Sequence, residues 1–185
     1  MVGGQWPVPP PAREPCGGPV NIEARSKRIS LAEAKVLAEG MRSAGRRVVV
    51  ANGGFDMLHV GHVRYLAAAR AAGDVLFVAL NSDLSVRTSK GPQRPIVPED
   101  ERAEILAHLD CVDFIVLFDE PTVSEVLRAL KPRVHAKGTD YTVETVPERD
   151  VVAEWGGETL ICGDPKDHAT TDLVAEILKR FGSQK

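Results

Sequence analysis

The sequence predicts an α/β domain doubly wound around a five-stranded parallel sheet, and three observations predict it. Short apolar runs rich in Val, Ile and Leu recur without alternation, as strands buried on both faces do. Segments with helical spacing separate them, the pattern of parallel crossovers, which are almost always right-handed. A polar turn, Asn52-Gly53-Gly54-Phe55-Asp56-Met57-Leu58-His59-Val60-Gly61-His62, stands where the first run ends, the end of an open sheet at which ligands bind.

The elements follow in order. Residues 1–27 carry Pro7, Pro9, Pro10, Pro11, Pro15 and Pro19 and no periodic apolar face, so a disordered arm is expected there, with Trp6 as its one candidate anchor. The domain is expected over 28–185. Ser30 and Glu33 form a capping-box pattern ahead of Leu31, Ala34, Leu37, Ala38 and Met41, and Gly45 closes that helix. The strand Val48-Val49-Val50-Ala51, the turn and a helix from Val63 to about Gly73 lead to the strand Val75–Leu80, completing a βαβ unit.

Ser85 to Pro98 reads as a mobile loop, too rich in Gly and Pro for a helix. A helix from about Glu99 to Leu109 and the strand Val112–Phe118 follow. Thr122 and Glu125 read as caps of a helix bearing Val123, Val126, Leu127 and Leu130 that stops at Pro132. A short strand over 133–136, a helix from about Asp150 to Trp155 and the strand Thr159–Cys162 come next. Thr170 opens the last, amphipathic helix with Leu173, Val174, Ile177, Leu178 and Phe181.

Composition narrows the function. The chain has 185 residues, 43% of them hydrophobic, with a formal net charge of −3. That charge and the lack of a long basic run exclude non-specific nucleic-acid binding. Cys16, Cys111 and Cys162 are widely spaced and show no zinc-like pattern, as expected of reduced thiols. No signal peptide or membrane-spanning run is visible, so a cytoplasmic protein without a membrane partner is expected.

The chemistry lies at the first turn. His59 and His62 stand three apart at a helix start, where free N–H groups and the positive dipole end favour a phosphate. Gly53 and Gly54 are expected to permit a tight turn and close approach of a ligand, and Gly61, between the histidines, to remove a side chain that would hold a nucleotide off the helix. HxGH alone is a weak signal; strand, glycine turn, acid, HxGH and helix together are a specific one. Thr170 and Thr171 head another helix, and Lys90-Gly91 offers a flexible cation. Each of these alone is ordinary.

With Asn81-Ser82-Asp83, Arg94-Pro95 and Lys137-Gly138-Thr139-Asp140-Tyr141 added, the series resembles the cytidylyltransferase-like HxGH nucleotidyltransferases, Rossmann-like in fold. It is most similar to the heptose 1-phosphate adenylyltransferases, including that half of the bifunctional heptose kinase/adenylyltransferase, from about Arg28 to Arg180. The resemblance implies ATP with Mg²⁺ and a sugar 1-phosphate, D-glycero-β-D-manno-heptose 1-phosphate, whose oxygen attacks the α-phosphate in line and expels pyrophosphate.

By the same resemblance His59, His62 and Lys90 are catalytic. Asn52, Gly53, Gly54, Phe55, Gly61, Lys137, Gly138, Thr170 and Thr171 bind the nucleotide with the two histidines. Asp56 orients the turn or the sugar phosphate, and with it Asn81, Asp83, Lys90, Arg102 and Asp140 surround that phosphate, although for Asp83, Asp113 and Arg102 a structural role is equally open. A separate heptose kinase upstream and a homodimer are expected partners.

Three departures from the family pattern stand out: Gly54 where relatives often carry Cys, Val or Thr, Ala169 for the usual Ser, and Thr139 for the commoner Gly. The alternative reading within the same chemistry is a cytidylyltransferase acting on glycerol 3-phosphate. A dinucleotide-binding oxidoreductase would need GxGxxG, which the turn lacks. A non-catalytic nucleotide sensor is disfavoured because both histidines, Lys90 and the Thr pair are present.

Overall fold

The computed structural model describes residues 27–164 and 170–182. The expected arm falls outside the described residues up to residue 26, as do Cys16, His168 and Ala169. Among the described residues, five parallel strands form one sheet in the order β3-β2-β1-β4-β5. They are β1 (Val48–Gly53), β2 (Val75–Asn81), β3 (Phe114–Phe118), β4 (Val134–Lys137) and β5 (Glu158–Ile161).

β1 sits at the centre, in register with β2 from Val48↔Val75 to Gly53↔Leu80 and with β4 at Val50↔His135. Its first four residues are wholly buried, the reason its sequence runs apolar without alternation. One face packs against α2 (Val60–Ala71) and α4 (Glu99–Ala107), with Leu66, Ala69 and Leu106 fully buried. The other packs against α1 (Leu31–Ser43), α5 (Ser124–Leu130) and α6 (Arg149–Ala153), through Ala34, Ala38, Leu127 and Val152. The wiring runs outward from β1 to β3 and then returns to β4, so the topological switch lies between β1 and β4.

Local signals explain the boundaries. Ser30 Oγ accepts the Glu33 amide at 3.2 Å while Glu33 accepts that of Ser30 at 2.8 Å, forming the expected capping box. Gly45 takes φ +74 just beyond the helix. The third strand starts at Phe114 and not at Val112, because Asp113 spends its carboxylate on the Leu76 amide at 2.8 Å and the Arg70 guanidinium at 2.8 Å.

Two expectations are corrected. Ser85 to Pro98 is not one loop: α3 (Asp83–Lys90) is a helix whose N-cap, Ser82, accepts the Ser85 amide at 3.1 Å, and the glycine and prolines begin only at Gly91. Thr122 does not cap α5. Its hydroxyl meets Ser124 Oγ at 3.1 Å, and Val123 occupies the capping position with no side-chain bond to give.

Among the described residues no helix is long and apolar enough to cross a membrane, and Cys111 and Cys162 are free thiols. The last helix, α7 (Thr170–Phe181), carries its apolar residues at the expected spacing. Leu178 and Phe181 are exposed.

Candidate active site

At the carboxyl ends of the strands lies a cavity of about 550 Å³, within the usual range for a ligand site. Asn52 to Asp56, His59, Gly61 and His62 line it at the centre. Asn81 and Lys90, at and beyond the end of β2, and Lys137, Gly138 and Asp140, at and beyond the end of β4, line it on opposite sides of β1; Thr170 and Thr171 complete it. Four segments far apart in sequence therefore meet where the sheet topology reverses.

The turn between β1 and α2 is held in an uncommon shape. Phe55 and Met57 have φ +48 and +53, a left-handed conformation that costs a non-glycine residue energy and recurs at functional sites. Gly53 and Gly54, expected to supply that freedom, do not have positive φ; a Cβ at Gly53 would instead come within 3.2 Å of the Phe55 ring. Phe55 is buried, its ring 5.3 Å from that of His62 and stacked 6.4 Å from that of Tyr65. Tyr65 donates to the Ala136 carbonyl at 2.8 Å, which fixes α2 to β4.

The histidines stack, with ring centroids 3.9 Å apart and planes 30° from parallel. His59 sits at the N-cap of α2, and its amide donates weakly to His62 Nδ1 at 3.4 Å. A neutral imidazole that accepts on Nδ1 carries its proton on Nε2. Burial, then the nearby His59 and Lys90 charges, push the His62 pKa down to about 4. The ring is neutral at physiological pH and offers one N–H donor.

Asp56 is the tether of the turn. Its carboxylate accepts from Arg94 at 2.7 Å and from the amides of Ile96 and Val97, each at 3.0 Å. Burial opposes its charge, yet the Val97 amide, Arg94 and the Ile96 amide together hold its pKa below the usual carboxylate value. Its backbone carbonyl accepts the Thr170 hydroxyl at 2.8 Å, joining α7 to the turn. Asp56 thus takes the first of its two expected roles, orienting the turn, and the 91–98 segment is pinned by it.

Two expected substrate residues do not reach the cavity. Arg102 is 1% exposed, and its guanidinium donates to the carbonyls of Gly54, Asn81 (2.8 Å) and Val97 (2.9 Å) and to Asp83 at 2.7 Å. Asp83 is committed to that pair. Both are structural supports: a buried fork with five donors is satisfied by clamping three chain segments. Asp113, bound at the far end of β3, is structural too. Asp140 lies on the β4 loop beside Lys137 and Gly138, opposite the Asn81 and Lys90 side with which it had been grouped.

Sequence reading missed several lining residues. Phe118 and Val123, from the end of β3 and the start of α5, give the cavity an apolar wall; the carboxyl end of β3 was the signal that placed them there. Tyr141 stands with its ring 4.6 Å from Lys137 Nζ. Glu148 and the buried His135 were missed because neither belongs to a motif. Lys137 Nζ meets Asn52 Oδ1 at 3.2 Å and Glu148 at 3.9 Å. Burial lowers the Lys137 pKa and the Glu148 carboxylate opposes that shift.

Among the described residues no three His, Cys, Asp or Glu side chains are grouped to cage a metal ion. Asp56 is spent on Arg94, and Asp164 pairs with Arg64 at 2.6 Å. The donor set suits a cation that arrives on phosphate oxygens and keeps its water, the usual habit of Mg²⁺ with nucleotides.

The profile of the cytidylyltransferase-like family matches residues 50–179. The chain is 43% identical over 169 residues to the bifunctional protein HldE of Trichlorobacter lovleyi, covering 90% of this chain and 34% of that protein. Against the bifunctional protein HldE of Caulobacter vibrioides the figures are 47% over 145 residues, 78% and 30%. The chain spans about a third of the length of these curated relatives.

Among solved structures, the lipopolysaccharide core biosynthesis protein from Thermoplasma volcanium matches with a TM-score of 0.54 at 29% identity, covering 63% of this chain and 94% of that one. Pantoate-beta-alanine ligase from Francisella tularensis, complexed with beta-gamma ATP and beta-alanine, matches with a TM-score of 0.52 at 14% identity, covering 85% and 79%. That second likeness is one of fold alone.

Proposed function

The chain belongs to the cytidylyltransferase-like family and is a nucleotidyltransferase enzyme, and from that premise we propose that it transfers AMP from ATP to D-glycero-β-D-manno-heptose 1-phosphate. An oxygen of the sugar phosphate forms the new bond to the α-phosphorus, the bond from that phosphorus to the β-phosphate oxygen breaks, and pyrophosphate carries away the electron pair. ADP-heptose is the other product. The observation that carries this reading is the stacked His59–His62 pair at the start of α2, facing a cavity with cations on both sides of β1.

Such a transfer needs positioned donors more than a covalent nucleophile. His62 Nε2–H and the first amides of α2 would donate to phosphate oxygens, and His59 stacked beside it would share that charge. Thr171 at the head of α7 would take the outer phosphates, with Thr170 anchoring that helix to the turn. Lys137 at the end of β4 and Asn52 in β1 would hold the nucleotide. Lys90, at the end of α3, would meet the acceptor phosphate, and Asn81, whose amide nitrogen donates to Ser85 at 2.9 Å, would turn its carbonyl oxygen to sugar hydroxyls. Mg²⁺ bound with ATP would neutralise phosphate charge.

The reading brings with it a kinase that supplies the sugar 1-phosphate and a second copy of the chain as a homodimeric partner, working in the cytoplasm. Phosphorus-31 NMR of a mixture of enzyme, Mg²⁺, ATP and the heptose 1-phosphate tests it. Paired diphosphate doublets of a sugar nucleotide together with pyrophosphate are expected; unchanged ATP would overturn the assignment. The same spectrum with CTP and glycerol 3-phosphate tests the cytidylyltransferase alternative.

A further inference from the structure

Three buried polar side chains lie beneath the cavity, where packing alone would favour apolar ones. His135, in the middle of β4, is 0% exposed, Lys137 is 7% and Glu148 5%. His135 and Lys137 converge on Asn52, and Glu148 stands behind Lys137. Lys137 Nζ approaches Asn52 Oδ1 at 3.2 Å, His135 Nε2 approaches the same oxygen at 3.0 Å, and Glu148 stands 3.9 Å from the Lys137 ammonium.

The donor inventory fixes every role. An ammonium has donors only, so the Asn52 atom it meets is the amide oxygen and not the nitrogen. The His135 nitrogen that meets that oxygen is then the protonated one. Burial, with the Lys137 charge adding to it, keeps His135 neutral by pushing its pKa down to about 3, so Nδ1 carries no proton, and it meets no partner among the described residues. With Oδ1 claimed by two donors, the Asn52 amide has one orientation. Its Nδ2 is left as a donor beside the Lys137 ammonium, and both residues line the cavity.

We infer that His135 and Glu148 are positioning residues for nucleotide binding: His135 locks the Asn52 amide, Glu148 steadies the Lys137 ammonium, and the two present an N–H and a cation side by side to the nucleotide. This rests on the nucleotidyl-transfer reading for its ligand, but not for its geometry. The Nε2 contact to Asn52 accounts for a buried histidine where an apolar residue would satisfy the core, and Nδ1 is left without a partner among the described residues. It is the cost of a ring that can donate only from Nε2.

The test has two arms on the whole chain. Nitrogen-15 spectra of His135, without substrate, should show a protonated Nε2 and an unprotonated Nδ1 from pH 5 to 8; a proton on Nδ1 would overturn the inference whatever the enzyme's activity. Kinetics form the second arm. His135→Leu should raise the KM for ATP about tenfold, the scale of one misaligned buried donor, with kcat and the acceptor KM within about threefold.

His135→Gln, which can still donate to Asn52, should restore most of that loss. Glu148→Gln should leave the fold intact and shift the alkaline rise in the ATP KM to lower pH, because Lys137 loses its counter-charge. An ATP KM unchanged in His135→Leu, or a loss that His135→Gln does not relieve, would contradict the inference. Failure of the nucleotidyl-transfer reading itself would show differently, as no pyrophosphate release from the wild type with any substrate pair.

Discussion

His59 and His62 stack their imidazoles at a centroid distance of 3.9 Å, closer than two positive rings would settle without an anion between or beside them. His62 is therefore neutral in the empty site, its pKa pushed down to about 4 by burial and by the His59 and Lys90 charges, and is placed to gain charge as a polyphosphate arrives. His59→Ala or His62→Ala should lower turnover by about two to four orders of magnitude, the scale of losing a preorganised donor in a dry site. The folded state should persist in both, which a thermal melt checks beside the turnover assay.

The same pair makes a pH prediction. The His62 pKa of about 4 is that of the protein alone; histidine NMR titration should find it there and see it rise when ATP is added. A shift in the other direction on nucleotide binding would refute the phosphate contact.

Two histidines with lowered pKa values also shape acid stability. In the unfolded chain they titrate near 6.5, while in the folded protein His62 does so at about 4 and His135 at about 3. Between those limits the unfolded state binds more protons, so stability is complete above about pH 6.5 and falls as the pH drops toward 3. His135→Leu should flatten that acid slope by roughly 2–4 kcal/mol across the window, read from urea unfolding at pH 7 and pH 4. An unchanged slope would contradict the buried neutral ring.

Arg102 is expected to matter to the fold more than to the substrate. Its removal leaves the Gly54, Asn81 and Val97 carbonyls without their common donor and Asp83 without its partner. Arg102→Ala should cost about 3–5 kcal/mol of stability. Arg102→Lys should recover only part of it, since an ammonium cannot reproduce the planar fork. Denaturant midpoints measure both.

Asp56 should behave as a carboxylate whose charge the fold requires. Its lowered pKa means that its contribution is present above about pH 4 and is lost as the pH falls through its folded value. Asp56→Asn keeps the shape but weakens the Arg94 ion pair and the charge-assisted amide contacts at Ile96 and Val97. Limited proteolysis should then cut the 91–98 segment faster in the variant than in the wild type.

The strands were legible because burial on both faces of a parallel sheet leaves an unbroken apolar run, as in Val48 to Ala51 and Val75 to Leu80. The HxGH turn was legible because its residues lie together in the chain. What sequence could not give was the partner of a single side chain. Arg102 on an amphipathic surface pattern and Arg102 at the centre of a buried clamp read identically until Gly54, Asn81 and Val97 are placed around it.

Helix α3 was obscured by averaging: Ser82 starts a helix that ends at Lys90, but Gly91, Pro92, Pro95 and Pro98 coloured the whole 85–98 stretch. Positive φ at Phe55 and Met57 contradicts local preference, so only the fold around the turn could reveal it. His135 and Glu148 lie outside any motif; His135 meets Asn52 only across β1 and β4, and Glu148 reaches Lys137 only from the start of α6.

The most direct measurement is pyrophosphate release with Mg²⁺, scanning the nucleoside triphosphates against β-heptose 1-phosphate and glycerol 3-phosphate, with His62→Ala as the control. Release with ATP and the heptose phosphate alone, abolished in the variant, is the predicted result. Release confined to CTP and glycerol 3-phosphate would contradict the proposed substrates, and silence with every pair would contradict catalysis by this site.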